Sequence, residues 1–97
     1  MSDERLYIVA YDIADDARWR HVFKTMQAYG SWIQLSVFQC RLTRRHRAEL
    51  QARLRGLIVE GEDHVLLIDV GPAERTELGI VSLGKGFSKI ERRASVI

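Results

Sequence analysis

Asp12 is the residue best placed for chemistry. It closes the apolar run Leu6-Tyr7-Ile8-Val9-Ala10-Tyr11, and Asp15 and Asp16 follow where a helix begins. Helix capping and the helix dipole account for Asp15 and Asp16. Neither accounts for Asp12. An aspartate at the carboxyl end of a buried strand is desolvated at a cost unless it is hydrogen-bonded, sits at the rim or binds a cation. One carboxylate is a sparse magnesium site, but a twofold axis beside it would supply a second, and magnesium accepts one or two carboxylates with waters and substrate phosphate. The chemistry this suggests is magnesium-mediated binding of a phosphate.

A second set of residues suits phosphate directly. Twelve of the fifteen basic residues are arginine, and Arg41, Arg44, Arg45, Arg47, Arg53 and Arg55 face only Glu49 within their stretch. Planar guanidinium forks match phosphate oxygens. Arg18, Arg20, Arg44, Arg45 and Arg47 are the candidate nucleic-acid contacts. The plainer account is a solvated helix face that uses arginine in place of lysine.

Other chemistries fail on spacing. Gly79-Ile80-Val81-Ser82-Leu83-Gly84-Lys85 has the outline of a phosphate loop, but Gly86 stands where Ser or Thr would hold magnesium and the intervening residues are strand-like. His21, His46 and His64 share no metal-ligand spacing and read as surface or core filler. The single cysteine, Cys40, has no disulfide partner and reads as a half-buried strand residue in a reducing compartment. No apolar run approaches the roughly 20 residues of a membrane span, and Met1-Ser2-Asp3-Glu4-Arg5 lacks the basic start of a signal peptide, so a cytoplasmic protein is expected.

The elements that must position these groups follow from periodicity. Residues 5–12 read as a strand with two apolar faces, Leu6, Ile8 and Ala10 on one and Tyr7, Val9 and Tyr11 on the other. Trp19, Val22, Phe23 and Met26 then mark a helix capped by Asp15 or Asp16 and stopped by Gly30. Residues 31–42 contain no Gly or Pro and read as one long strand. Thr43 caps a second helix with the stripe Leu50, Leu54, Leu57 and Ile58, and Glu60-Gly61-Glu62-Asp63 ends it. Residues 64–70 form a buried strand broken by Gly71-Pro72, and Ile80-Val81-Ser82-Leu83 a short last strand. At 97 residues this is one domain, an α+β sandwich with two helices on one sheet face. The face bearing Tyr7, Val9 and Tyr11 is expected to stay open and to be covered by a second copy.

Tyr11-Asp12-Ile13 with Asp15-Asp16 and Arg18, followed by Gln34-x-Ser36-Val37-Phe38, resembles the small CRISPR-associated Cas-two family. The likeness extends over nearly the whole chain: the strand and its aspartate, a helix ending in Tyr29-Gly30, the Q-x-S-V-F strand, a second helix near Thr43 and a strand after Glu62-Asp63. It implies a ferredoxin-like βαββαβ sandwich over residues 1–97, with 79–97 as an added C-terminal strand and tail. It also implies a homodimer through the sheet faces, a magnesium ion between two Asp12 carboxylates, and partnership with the Cas-one integrase that inserts spacers into a CRISPR array. Within such a family Asp12 is the catalytic and metal residue of a magnesium-dependent endonuclease on RNA or DNA, or the dimer is a scaffold. Many relatives carry basic residues after the aspartates and an arginine before the Q-x-S-V-F strand, where this chain has Arg18-Trp19-Arg20-His21 and Trp32. The competing function is that of a ferredoxin-like effector-binding or structural domain without nuclease activity.

Overall fold

A computed structural model describes residues 3–84. Its elements are β1 (Arg5–Asp12), α1 (Asp16–Gln27), β2 (Ser31–Gln34), β3 (Val37–Leu42), α2 (Arg44–Leu57) and β4 (His64–Pro72), followed by a short 3₁₀ turn, Ala73–Arg75. The four strands form one antiparallel sheet in the order β2-β3-β1-β4, which with two crossover helices is the ferredoxin-like α+β arrangement.

The helices begin where the caps predict. The Asp15 carboxylate accepts the Arg18 N–H at 2.9 Å, and Thr43 Oγ1 accepts the His46 N–H at 3.0 Å. Each helix turns its apolar stripe inward, so that Val22, Met26, Leu50 and Leu54 pack on Tyr7, Val9, Tyr11, Phe38 and Cys40. Complete burial of side chains such as Phe38, Met26 and Leu50 contributes about 1.5–3 kcal/mol each.

This packing reverses the expected use of the faces of β1. Alternation separates Tyr7, Val9 and Tyr11 from Leu6, Ile8 and Ala10, but does not say which set the helices cover. The ladder decides it. Tyr7 pairs with Cys40 and Val9 with Phe38, so the aromatic set lies under the helices. The helix-free face instead carries Ile8 opposite Ile68 and Ala10 opposite Leu66. There Leu66, Ile68 and Val70 remain 46 %, 48 % and 40 % exposed.

Three more expectations are corrected. Residues 31–42 are a hairpin rather than one strand, because Leu35 takes a left-handed φ of 42° and turns the chain without glycine. Gly30 does not end α1 in a left-handed cap; α1 closes at Ala28 in helical geometry. Glycine is needed at position 30 because a Cβ there would collide with Gln39 O and Cys40 Sγ, and that contact helps bury Cys40 fully. Gly71-Pro72 does not break β4, which runs through it with Gly71 at φ 144° and a register shift opposite Leu6 and Tyr7. Among the described residues of this single copy, 80–83 pair with no other strand, and Val81 and Leu83 lie 85 % and 88 % exposed. The remainder of the expected tail, 85–97, lies outside the described residues.

Candidate metal centre and nucleic-acid interface

Asp12 is the last residue of β1. Because Tyr11 points under the helices, Asp12 points to the helix-free face, and it is exposed at the rim. The rim position relieves the desolvation expected of a strand-end carboxylate. Its ladder partner is His64, the first residue of β4. Directly opposed residues share a face with Cβ atoms about 4.5–5.5 Å apart, so the imidazole and the carboxylate are neighbours. By its spacing along the chain alone, His64 reads as filler. The signal that finds it is the pairing of two strands that begin and end together, which spacing along the chain does not carry.

The loop after Asp12 is held by a residue that reads in sequence as part of a turn. Asp63, its side chain 0 % exposed, accepts the Ala14 N–H at 2.9 Å and the Val59 N–H at 2.8 Å. It also takes a two-pronged grip from Arg18, with Nε at 2.8 Å and Nη2 at 3.1 Å. Arg18 Nη2 further donates to Glu62 at 2.9 Å. The Arg18 hydrogen bonds hold the Asp63 carboxyl well below the usual carboxylate range, and Asp63 in turn raises the Arg18 guanidinium above its ordinary value. Arg18 thus has carboxylate partners within the fold at its Nε and Nη2 donors, which ties the expected phosphate contact to the Asp63 loop.

The remaining arginines fall into two groups. Arg20 lies exposed on α1, near the Asp12 end of the sheet. Arg44, Arg45 and Arg47 open α2 at the other end, since Arg5 pairs with Leu42 and the Arg44 N–H donates to Asp3 at 3.4 Å. Seven strand steps separate the two ends, about 24 Å. Arg44 and Arg47 line a cleft of about 530 Å³ with Arg5, Arg75, Asp3 and Asp69, and Arg5 is paired with Asp69 at 2.9 Å. Arg47 Nε is buried there without a partner among the described residues. The candidate residues therefore do not converge on one site; they mark two ends of one sheet.

Among the described residues no group of three or more His, Cys, Asp and Glu side chains is placed to hold a metal. One copy offers the Asp12 carboxylate, with His64 beside it. That donor set fits a cation that keeps its waters and takes one carboxylate from each of two copies, as magnesium does. It does not fit a closed structural site.

The family model described as CRISPR associated protein Cas2 matches residues 5–77, from the first residue of β1 to just beyond the 3₁₀ turn. The chain belongs to the Cas2 family. It is 55 % identical over 94 residues to the CRISPR-associated endoribonuclease Cas2 1 of Rhodospirillum rubrum, covering 97 % of this chain and 92 % of the relative. It is 48 % identical to the CRISPR-associated endoribonuclease Cas2 of Geobacter sulfurreducens, covering 97 % and 99 %. The fold matches a crystal structure of Streptococcus pyogenes Cas2 with a TM-score of 0.64 at 28 % identity, covering 81 % of this Cas2-family chain and 99 % of that one. A crystal structure of a hypothetical protein from Thermus thermophilus matches with a TM-score of 0.74 at 34 % identity, covering 88 % and 99 %.

Proposed function

We propose that two copies of this chain join through their helix-free sheet faces into a nucleic-acid-binding dimer that serves CRISPR spacer acquisition with the Cas-one integrase. The observation that carries this reading is that the apolar face left open by the helices also carries Asp12 at its rim. Covering Leu66, Ile68 and Val70 with a second copy would bring two carboxylates toward one axis. No helix among the described residues is long and apolar enough to cross a membrane, and the proposed site of action is the cytoplasm.

At that axis Asp12 and Asp12 of the partner subunit would hold magnesium. A bound magnesium ion supplies charge for a phosphate oxygen and lowers the pKa of water. The chain's own contributions would be the Asp12 carboxylate that holds the metal and, across the ladder, the His64 imidazole beside it. The names of the relatives support endonuclease activity on RNA or DNA. A scaffold reading rests on a different observation, the wide separation of Arg20 from Arg44, Arg45 and Arg47, which suits contacts spread along a backbone better than convergence on one scissile bond.

The test is magnesium-dependent cleavage of RNA and of duplex DNA by the wild type and by Asp12→Asn, with duplex affinity and spacer integration measured in parallel. Cleavage is expected to disappear with Asp12→Asn while affinity, fold and integration persist. Cleavage at the wild-type rate would remove the metal-nuclease reading and leave the scaffold.

A further inference from the structure

The aspartate that closes β1 depends on its backbone for its position. Among the described residues no side-chain hydrogen bond or ion pair holds the Asp12 carboxylate. The sheet holds it on one side only. The ladder with β3 stops at Ala10 and Val37, with one further bond from Tyr11 N–H to Ser36 O, whereas the ladder with β4 reaches Asp12 and pairs it with His64. Strand ends held this way fray unless something closes them. Here the closure comes two residues later, where Ala14 N–H donates to Asp63 at 2.9 Å. Asp63 is covalently joined to His64, so Asp12, Ile13, Ala14, Asp63 and His64 make a small ring. The strand ladder joins it on one side and the Ala14 hydrogen bond on the other.

Asp63 is itself fixed from every direction. Its Oδ1 accepts from Ala14 N–H and from Arg18 Nη2, at 2.9 and 3.1 Å, and its Oδ2 from Arg18 Nε and Val59 N–H, both at 2.8 Å. Its own N–H donates back to Val59 O at 3.0 Å, around a turn in which Gly61 takes φ 95°. An ionised carboxylate has about four lone-pair sites, and here each oxygen already accepts two donors. With its side chain 0 % exposed, Asp63 has neither a free lone pair nor an open side for a cation. It is therefore not a further metal ligand, although only one hydrogen bond and two residues separate it from Asp12.

Three of its four bonds serve the fold, because Arg18 and Val59 tie α1 to the loop after α2. The fourth acts elsewhere. Ala14 lies between the last residue of β1 and the Asp15 cap of α1, so the bond to it fixes where the chain leaves Asp12. We propose that Asp63 is a positioning residue for the metal site: through Ala14 it holds the end of β1, and so sets the direction in which Asp12 meets the cation shared with the second copy. This rests on the reading of Asp12 as a magnesium ligand and adds the residue that orients it. Magnesium demands near-ideal octahedral geometry, and groups that orient its ligands from behind are worth about 10- to 100-fold in metal affinity.

The experiment uses the full chain and Mn2+ alone, with free and bound ion counted by electron paramagnetic resonance, so that neither nucleic acid nor turnover enters the readout. Asp63→Asn and Asp63→Glu are both expected to weaken Mn2+ binding by about 10-fold or more. The second keeps the charge and moves the carboxylate by one methylene. Two controls separate position from charge and from stability. Glu62→Gln removes the neighbouring carboxylate charge but leaves the Ala14 bond, and Gly30→Ala destabilises the fold beneath Cys40. Both are expected to bind Mn2+ as the wild type does, each variant being read below its own melting temperature. Affinities within about threefold of the wild type in both Asp63 variants would overturn the positioning role and leave Asp12 as the ligand. A loss of the same size in Glu62→Gln assigns the effect to charge, and in Gly30→Ala to stability; either result refutes the proposal as well. No Mn2+ binding by the wild type, or binding unchanged in Asp12→Asn, would overturn the metal reading itself and the positioning role with it.

Discussion

Replacing Ile68 by arginine tests the dimer and the position of the site together. Ile68 sits on the helix-free face opposite Ile8 and is 48 % exposed in the single chain, so docking of a second copy would remove about half of its surface from water. Full burial of such a side chain contributes about 1.5–3 kcal/mol; half of that, counted once in each copy, is about 1.5–3 kcal/mol per dimer. The arginines that replace the two isoleucines add the cost of desolvating two unpaired charges, several kcal/mol more. The apolar part alone predicts a dissociation constant raised about 10- to 150-fold, and the charges raise it further. Sedimentation velocity over a dilution series measures the constant, and a melt at the lowest concentration reads the monomer, whose stability should change by less than about 0.5 kcal/mol because the position is exposed there. Magnesium-dependent activity should fall with the dimer fraction. A dissociation constant changed by less than tenfold would refute the assignment of this face.

Three further outcomes are expected. The Asp63 carboxyl titrates below its unfolded value, so it stabilises the protein fully above the unfolded carboxylate pKa of about 3.9 and loses that contribution as the pH falls below it; Asp63→Asn should therefore melt lower at neutral pH and show a flatter acid limb in melting temperature against pH. Gly30→Ala forces a methyl group into Gln39 O and Cys40 Sγ, and should cost about 1–3 kcal/mol, or roughly 5–20 °C in thermal melting. Arg45→Ala, at the exposed start of α2, should weaken binding to all duplex sequences alike and reduce the slope of log affinity against log salt by about 0.9.

The helices and their caps were legible because periodicity and capping are local: Asp15, Thr43 and the stripes ending at Met26 and Leu54 depend on neighbours three or four residues away. Leu35 was not legible, since its left-handed turn contradicts local preference and is imposed by pairing Trp32 with Phe38. The face assignment failed for a related reason. Tyr7-Val9-Tyr11 and Leu6-Ile8-Ala10 are both apolar, and only the register with β3 shows which set meets the helices. Of the site, Asp12 stood out because an apolar run ended on it. His64 and Asp63 did not, because one acts across a ladder and the other gathers Ala14, Arg18 and Val59 from distant parts of the chain.

The tight seat of Cys40 against Gly30 gives the protein a built-in reporter of its own breathing. Burial pushes this thiol up to about 12, so at neutral pH it is neither ionised nor reachable. It is also the chain's single sulfhydryl, with no second thiol to confuse the signal. An alkylating reagent can react only when the Gly30 turn or the helix layer lifts from the sheet, and where reclosing outruns the reaction, the labelling rate divided by that of a free thiol is the opening equilibrium constant. The covalent adduct then counts how often this seat opens, without any engineered probe.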